Sequence, residues 1–395
     1  MNNPVIVAGV GMTRFVKPSE GRSYLALGLE AALLALTDAC VDYALIQEAY
    51  AGWVYGDSAA GQAVLYKLGL SGIPIVNVNN NCATGSTALY LARKAIASGA
   101  AECVLALGFE QMLPGAIGAI FPDRPSPMNA FLEVADGRFK GAETVPMAIR
   151  LFGGAGFEYQ ERYGASDRMF AEVRAKASRH AAHNERAIFR TPITADDVLA
   201  SPKLFLNLTR LQACPPTCGG AAAVLCSEPF ARAHGISSSV RIRAQAMTTD
   251  TKETFEGGSL IRAVGAEMAG KAADRVYAES GVDPMDVDVV ELHDCFTTNE
   301  VLSYEALGLC HKGEAEKFIA DADNTYGGRV VTNPSGGLLS KGHPLGATGL
   351  AQCAELTWQM RGVAGRRQVP EARLGLQHNL GLGGACVVTL YERVS

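Results

Sequence analysis

The stretch Cys82-Ala-Thr-Gly-Ser-Thr-Ala-Leu89 has a counterpart in the second half of the chain, Gly346-Ala-Thr-Gly-Leu-Ala-Gln352, and each opens an apolar segment with helical spacing. A second pair of similar stretches precedes them in the same order, at 41–52 and 282–293. Because both matches keep their order, they predict a duplicated unit. A duplicated unit forms a pseudo-two-fold pair, in which a site can form where equivalent helix ends meet.

Short apolar runs alternate with helical patterns along most of the chain, which predicts an α/β fold with a mostly parallel sheet. We predict strands at 5–10, 48–55, 73–78, 102–107 and 219–227, and helices at 24–39 and 85–98. The stretch from 113 to 210 breaks this pattern and indicates an inserted loop domain. The predicted units are therefore residues 1–112 with 211–235, the loop domain 113–210, and a second half at 236–395.

The composition is that of a globular protein, with 48% hydrophobic and 19% charged residues among 395. A net charge of −5 indicates no nucleic-acid partner. No apolar run reaches the roughly 18 residues that a membrane span needs, so membrane insertion is not expected. The start lacks a secretion signal, and the end is not a Ser-Lys-Leu peroxisomal address, which together favour a cytoplasmic location.

Ten cysteines in a chain without a secretion signal are expected to be reduced thiols. Cys214 and Cys218 have the spacing of half a zinc site, but no second pair of ligands lies nearby in the sequence. We therefore expect no metal.

Cys82 stands between a predicted strand and a predicted helix, among Asn, Thr and Ser residues that suit helix capping. A thiol at a helix N-terminus is expected to have a lowered pKa, and its thiolate is a nucleophile. The alternative is a buried cysteine that fills space beside a Gly-rich turn.

His343 lies in a Gly-rich stretch just before the second, equivalent helix. Histidine is a natural base for activating a thiol, and the duplication brings Cys82 and His343 to equivalent helix starts. A histidine with only a structural role in a turn is the alternative.

His293 and Cys295 follow a predicted buried strand, at the sheet edge where sites form in α/β proteins. Because the two residues are two positions apart, both side chains lie on the same face of the sheet if the strand continues. Chance occurrence at a strand end is the alternative.

The stretch 378–386 is Gly-rich, and such a loop can present backbone N–H groups to an oxyanion. Cys386 precedes Val-Val-Thr-Leu-Tyr, which predicts a core position. His180 and His183 lie on a basic segment that we expect to be an exposed helix without a catalytic role.

Several motifs together resemble the thiolase superfamily, and within it the sterol-carrier-protein X type. They are the stretch 77–89, Glu102 to Glu110, Glu291-Leu-His-Asp-Cys-Phe296, Tyr304 to Cys310, Asn324-Thr-Tyr-Gly-Gly328 and the stretch 333–351. The resemblance implies two duplicated five-stranded βαβαβαββ halves in a layered αβαβα core, with a loop domain inserted in the first half.

The same resemblance implies CoA-dependent Claisen cleavage of 3-oxoacyl-CoA, or its reverse, with acetyl-CoA or propionyl-CoA released. Cys82 would carry the acyl group, His343 would take its proton, and Cys295 would be the second acid/base. His293 would help His343 to form one oxyanion hole. The backbone N–H groups of Cys82 and of the loop containing Leu382 and Gly383 would form the other hole.

Ordinary thiolases keep a second cysteine where this chain has Leu380, so Cys386 lies six positions beyond that slot. Six residues of extended strand span about 20 Å, which predicts that Cys386 is too distant to replace it.

The resemblance also implies acyl-CoA and CoA as substrates, with no permanently bound cofactor. A homodimer is expected, with a tetramer or a complex with a separate lipid-transfer protein as alternatives. Larger members of the family carry a C-terminal lipid-transfer domain, whereas this sequence stops where the thiolase part ends.

Two other functions stay open. A decarboxylating or condensing synthase of the same fold would use Cys82, His293 and His343, but it would not need Cys295. A non-catalytic acyl-CoA-binding scaffold would need none of the four.

Overall fold

Strands and helices alternate along most of the computed structural model, which describes residues 3–114, 121 and 123–394. The strands of this part are β1 (Val5–Met12), β2 (Glu48–Gly52), β3 (Ile75–Val78), β4 (Cys103–Glu110), β5 (Lys203–Phe205), β6 (Leu208–Thr209), β7 (Gly219–Ser227), β8 (Val240–Thr248), β9 (Val289–Glu291), β10 (Val331–Thr332), β11 (Leu374–Gly381) and β12 (Ala385–Arg393). The helices are α1 (Tyr24–Ala39), α2 (Ala60–Leu65), α3 (Thr84–Ser98), α4 (Asn129–Arg138), α5 (Met147–Tyr163), α6 (Asp167–Ala181), α7 (Ala195–Leu199), α8 (Glu228–His234), α9 (Lys252–Phe255), α10 (Leu260–Ala263), α11 (Ala266–Ser280), α12 (Thr297–Ala306), α13 (Ala315–Ala320) and α14 (Thr348–Arg361).

Ten strands form one mixed sheet in the order β10-β9-β11-β12-β8-β1-β7-β4-β2-β3. The prediction of a mostly parallel sheet is wrong, because five of its neighbouring pairs are antiparallel and four are parallel. The order divides into two sets of five, and each set has three parallel strands at its outer end: β3-β2-β4 in one and β10-β9-β11 in the other. The two sets join through β1 and β8, which pair at Val5 with Ile242 and at Ile6 with Arg241. The predicted duplication into two five-stranded halves is therefore confirmed. In the sheet, the two halves are joined by the short pairing of β1 with β8, which we call the seam.

The packing is layered because each strand set buries both faces. Along β4, Leu105 packs towards α1 in an outer apolar cluster, whereas its neighbour Val104 packs towards α3 and α14 in a central one. Along β12, Val388 packs towards α11 and α12 in a third cluster on the other outer side. The predicted αβαβα layering is confirmed, with α3 and α14 as its central layer.

Small residues let the two central helices touch at their N-termini. A Cβ atom on Gly85 would lie 2.8 Å from the Gly346 oxygen, and one on Gly349 would lie 2.1 Å from Ser86 Oγ. Since real Cβ atoms do not approach this closely, the backbones meet here only because both positions are glycine. The contact brings the residues that precede α3 and α14 close together.

Helices α4–α7 and the β5–β6 hairpin lie between β4 and β7 in the sequence and pack on the outer side of the second half. The expectation that the helix carrying His180 is exposed is wrong. Most of α6 is buried, including Lys176, which contacts the Glu300 carboxylate, and His180, which is 5% exposed. The ring of His180 contacts the Asn333 oxygen through Nδ1, at 3.0 Å, whereas His183 is exposed as expected.

Within the described ranges, no helix has both the length and the apolar character needed to cross a bilayer.

Candidate active site

Four side chains singled out from the sequence lie at the ends of three elements of the core. Cys82 precedes α3, His343 precedes α14, and His293 and Cys295 lie between β9 and α12. All four are buried, with exposed fractions of 9% for Cys82, 3% for His343, 1% for His293 and 6% for Cys295. The structure thus assembles at one place residues that lie up to 261 positions apart in the sequence.

Hydrogen bonds within the turn that precedes α3 fix the position of Cys82. Asn81 adopts the left-handed conformation with φ 50°, and the Thr84 hydroxyl donates to the Asn81 oxygen at 2.6 Å. The backbone N–H of Asn80 donates in turn to that hydroxyl at 2.9 Å. These bonds hold the turn that contains Cys82 in one conformation, although the N-cap of α3 itself, Ala83, has no side-chain hydrogen bond, so the predicted polar cap is not formed.

The hydrogen bonds of His343 fix which ring nitrogen carries its proton. Its Nδ1 lies 2.7 Å from the hydroxyl of Thr348, and that hydroxyl donates its own proton to the Pro344 oxygen at 2.9 Å. Nδ1 must therefore donate, which leaves the buried Nε2 with a lone pair and without a hydrogen-bond partner among the described residues. An imidazole with a free Nε2 lone pair is suited to act as a base.

His293 lies edge-to-face against His343, with ring centroids 5.0 Å apart and an interplanar angle of 85°. Its Nδ1 is 3.0 Å from the side-chain nitrogen of Asn379 on β11. Cys82, His293 and His343 each offer one sulfur or nitrogen atom, and the three atoms lie within 4.8 Å of one another. A thiol and two imidazoles are also ligand types for zinc, so this cluster is where a soft metal ion could bind.

Cys295 has a second thiol beside it that the sequence analysis did not assign to the site. The backbone N–H of Cys214 donates to the Cys295 oxygen at 2.8 Å. The segment that follows Cys214 reaches His343, since Pro216 and His343 form a β-bridge. Cys218 makes a different contact, because its sulfur accepts from the Met112 N–H at 3.2 Å. The Cys-x-x-x-Cys spacing was the available signal, but it suggested only a metal pair.

Burial sets the charge of both central groups. Burial and the Glu110 carboxylate raise the pKa of the Cys82 thiol to about 12. The expectation that the helix N-terminus lowers this pKa is therefore wrong, since loss of water outweighs the helix dipole. Burial and Lys341 lower the pKa of His343 to about 3, so the resting pair is a neutral thiol beside a neutral imidazole.

The other two side chains are also uncharged at neutral pH. Burial lowers the pKa of His293 well below its usual value, and the neighbouring His343 and His378 act in the same direction. Burial, Cys214 and Cys82 raise the pKa of Cys295. Cys82 raises the pKa of both Cys214 and Cys295, and Cys214 raises that of Cys295, so the state of charge of Cys82 bears on the other two thiols.

Glu110 ties the two halves together next to Cys82. Its carboxylate accepts the backbone N–H groups of Val54 at 3.1 Å, Tyr55 at 3.0 Å and Gly346 at 3.0 Å. Burial raises its pKa to about 7 despite these bonds. In the sequence, Glu110 ends a family-like stretch, and no local signal predicts a role for it in the site.

Two acidic residues hold the loop that leads to His343. Asp294 accepts the backbone N–H of Leu338 at 2.7 Å, and Glu291 accepts that of Ser335 at 3.0 Å. Lys341 also lies 3.3 Å from the Glu291 carboxylate and is fully buried. The loop is therefore attached to the same β9–α12 connection that carries His293, which fixes the two histidines relative to each other.

The Gly-rich turn between β11 and β12 lies beside Cys82. The side-chain nitrogen of Asn81 donates to the Leu382 oxygen at 3.0 Å. Gly383 and Gly384 both have φ 96°, which side chains rarely adopt, so the turn depends on glycine. The predicted oxyanion donors, Cys82 and this turn, thus belong to neighbouring segments.

The distance argument against Cys386 is wrong. The turn reverses the chain, so Cys386 on β12 pairs with Leu380 on β11, the slot of the second cysteine in ordinary thiolases. Directly opposed residues have Cβ atoms only about 5 Å apart. Cys386 is nevertheless fully buried in the outer apolar cluster, and the charged neighbour that raises its pKa is Asp250 rather than Cys82.

Comparisons with known proteins show the family of the chain. The family profile described as the thiolase N-terminal domain matches residues 5–200, and the one described as thiolase C-terminal domain-like matches residues 253–391. Sterol carrier protein 2 of Oryctolagus cuniculus is 53% identical over 392 residues, which covers 98% of this chain and 72% of the relative. The benzoylsuccinyl-CoA thiolase subunit BbsB of Thauera aromatica is 34% identical and covers 98% and 96% of the two chains.

Solved structures share the whole fold. An Ltp2-ChsH2(DUF35) aldolase superposes with a TM-score of 0.84 at 25% identity, covering 99% of this chain and 98% of that one. Human mitochondrial 3-ketoacyl-CoA thiolase gives a TM-score of 0.74 at 17% identity, with 100% and 99% covered. With profile matches in both halves and relatives above 50% identity along its length, the chain belongs to the thiolase family.

Proposed function

We propose that the protein is a 3-oxoacyl-CoA thiolase that forms an acyl intermediate on Cys82. The observation that carries this proposal is the cluster in which reactive atoms of Cys82, His293 and His343 lie within 4.8 Å of one another. Membership of the thiolase family supports an acyltransferase that acts on acyl-CoA substrates. The reaction is Claisen cleavage with a ping-pong sequence, or the reverse condensation.

In the first half-reaction, His343 Nε2 takes the proton of Cys82 and the thiolate attacks the 3-oxo carbon. The C2–C3 bond then breaks, and its electron pair becomes the enolate of acetyl-CoA, or of propionyl-CoA from a 2-methyl substrate. Cys295 gives a proton to C2 of that enolate. The neutral resting pair fits this order, because the thiolate forms only in the complex with substrate, as its proton moves to His343 and the oxyanion donors take up the charge that develops on the substrate.

In the second half-reaction, the Cys295 thiolate takes the proton of free CoA, whose sulfur attacks the acyl-Cys82 thioester. The acyl group leaves as a shortened acyl-CoA, and the Cys82 thiolate takes its proton back from the His343 imidazolium, which restores the resting enzyme. Oxygen charge in this half would be stabilised by the backbone N–H groups of Cys82 and of the turn containing Leu382 and Gly383. Charge on the thioester oxygen of the enolate would be stabilised by His293 together with His343. CoA is thus a co-substrate, and the chemistry uses no bound cofactor or metal.

A homodimer could form through an edge strand of the sheet. Among the described strands, β3 is paired on one side only, and Val76 on it is 45% exposed. Pairing of two β3 edges would cover both. A tetramer, or a complex with a separate lipid-transfer protein, are the other assemblies to test, and we propose a cytoplasmic location.

The likeness to an aldolase favours one second candidate, cleavage of a 3-hydroxyacyl-CoA without CoA. Such a retro-aldol step forms no acyl-enzyme, because its other product is an aldehyde or ketone. Dependence on CoA therefore separates the two functions.

The test is a screen of straight-chain, 2-methyl and steroid-side-chain 3-oxoacyl-CoAs, with and without CoA, followed by mass spectrometry of the protein. We expect CoA-dependent cleavage, and in its absence an acyl group on Cys82. Cys82→Ala should abolish both, while Cys226→Ala, the same change at a buried thiol in β7, should keep them. An acyl group on another cysteine, turnover without CoA beyond one equivalent of substrate per active site, or consumption of malonyl thioesters instead would refute the proposal.

A further inference from the structure

The two histidines of the site are chemically identical and nearly touch, yet the proposed reaction needs one of them as a base and the other as a hydrogen-bond donor. A neutral imidazole carries a single N–H, so the partner of the inner nitrogen decides what the outer nitrogen can do. For His343 that partner is Thr348, which leaves Nε2 with the lone pair. The Thr348 hydroxyl accepts a hydrogen bond from His343, whereas the partner of His293 donates one.

The nitrogen of the Asn379 side chain lies 3.0 Å from His293 Nδ1. An amide nitrogen has two N–H donors and no lone pair to offer, so Nδ1 must accept this hydrogen bond. The proton of a neutral His293 is then on Nε2.

The other end of the Asn379 amide lies against Gly349. Asn379 is fully buried, and a Cβ atom built on Gly349 would lie 2.6 Å from its side-chain oxygen. The oxygen therefore lies beside the Cα of Gly349 and has no hydrogen-bond partner among the described residues, so the hydrogen bond of the Asn379 amide runs from its nitrogen to His293. Glycine at the start of α14 thus leaves room for the amide in this orientation.

The backbone of His293 is held as well. Its N–H donates to His378 Nδ1 at 3.4 Å, and its oxygen accepts from the Asn299 side chain. The ring is therefore presented to Asn379 from a fixed main chain.

We propose that Asn379 is a positioning residue that holds His293 in the Nε2–H tautomer, so that His293 donates a hydrogen bond to a substrate oxygen while His343 acts as the base. This inference rests on the proposed thiolase reaction for its catalytic meaning. The amide of Asn379 and the hydroxyl of Thr348 thus give the two neighbouring imidazoles opposite roles. Binding of a metal ion at His293 Nε2 would therefore require the proton on that nitrogen to leave or to move to Nδ1.

The direct test is NMR of the full-length protein labelled with 15N-histidine, using long-range correlations that distinguish the two tautomers. The His293 signal is assigned by its loss in His293→Gln. We expect His293 of the unmodified protein to be protonated on Nε2 and not on Nδ1. A proton on Nδ1 would overturn the proposal whatever the variants do.

Asn379→Asp replaces the donor with an acceptor of the same shape, so His293 should then carry a proton on Nδ1. Asn324→Asp is the matched control, since it makes the same change in another buried amide, whose side-chain nitrogen contacts the Tyr304 hydroxyl. It should leave the His293 tautomer as it is. An unchanged tautomer in Asn379→Asp would also refute the proposal.

In turnover, Asn379→Asp should lower kcat by roughly 10²–10³, as loss of one oxyanion donor does, with a much smaller change in KM. Asn324→Asp should retain kcat within a few-fold. The tautomer measurement does not use substrate, so it stands even if no 3-oxoacyl-CoA is cleaved. Failure of the proposed function is thereby distinguished from failure of this inference.

Discussion

Replacing Glu110 by glutamine should make Cys82 more reactive towards alkylation while making the protein less stable. The Glu110 carboxylate raises the pKa of the Cys82 thiol, second only to burial. Removing its charge therefore lowers that pKa, and each unit of lowering gives about ten times more thiolate at a given pH.

The effect should itself depend on pH. The pKa of Glu110 is raised to about 7, so its charge is largely absent below about pH 6 and present above about pH 8. Iodoacetamide should then alkylate Cys82 at equal rates in both proteins at the lower pH, and faster in the variant at the higher one.

The loss of stability follows from the hydrogen bonds. Glutamine can accept the N–H groups of Val54 and Gly346 with its one oxygen, but its NH₂ then faces the N–H of Tyr55. One unpaired buried donor costs about 1–3 kcal/mol of unfolding free energy. Denaturant titration would measure this difference.

Glu158→Gln is the matched control. Glu158 is another buried carboxylate that accepts backbone N–H groups, those of Leu260 at 2.7 Å and Ile261 at 3.3 Å, but it is not among the groups that shift the pKa of Cys82. It should lose stability without any change in alkylation. Equal alkylation of Glu110→Gln and the unmodified protein at pH values from about 6 to 9 would refute the assignment of Glu110 as the charge that restrains Cys82.

Three further variants test the roles of the remaining groups. His343→Ala should slow acylation of Cys82 by roughly 10²–10⁴, the usual contribution of a positioned base, in single-turnover mass spectrometry; an unchanged rate would assign the base elsewhere. Cys295→Ala should still be acylated by acyl-CoA but should not exchange the α-protons of acetyl-CoA with deuterated water, whereas Cys386→Ala should exchange them normally; the reverse pattern would make Cys386 the second acid/base. Cys214→Ala should lower turnover less than about tenfold, because no step needs a third thiol, and a loss as large as that of Cys295→Ala would show that Cys214 moves the proton.

Much of the fold was predictable because its signals are local. The apolar run 219–227 and the helical spacing at 24–39 coincide with β7 and α1. The seam between β1 and β8 was not predicted, since pairing between the halves depends on how they pack. The burial of α6 was missed because its charges suggested solvent, whereas Lys176 has a carboxylate partner, Glu300, 124 residues away.

In the candidate site, too, local signals were predictable and effects of distant segments were not. The four reactive side chains were found because each lies in a short Gly-rich or polar motif at the end of an element. Glu110 and Asn379 were missed because each acts on a segment distant in sequence, Gly346 in one case and His293 in the other. The direction of the Cys82 pKa was wrong for a related reason, since burial is a property of the folded whole. The proximity of Cys386 to Leu380 needed the hairpin, which a distance along one strand ignores.

The packing around Gly346 bears on how such a protein could have evolved. Cys82 and Gly346 occupy equivalent positions, so a symmetric ancestor of two identical units would have carried the same residue at both. A Cβ atom on Gly346 would lie 2.4 Å from the Phe109 oxygen and 2.8 Å from the Gly52 oxygen, which leaves no space for a second thiol. Two active centres related by the ancestral symmetry are therefore incompatible with the packing of Gly346 against the ends of β4 and β2. Gene fusion would have allowed one copy to specialise in bearing the nucleophile and the other in supporting it.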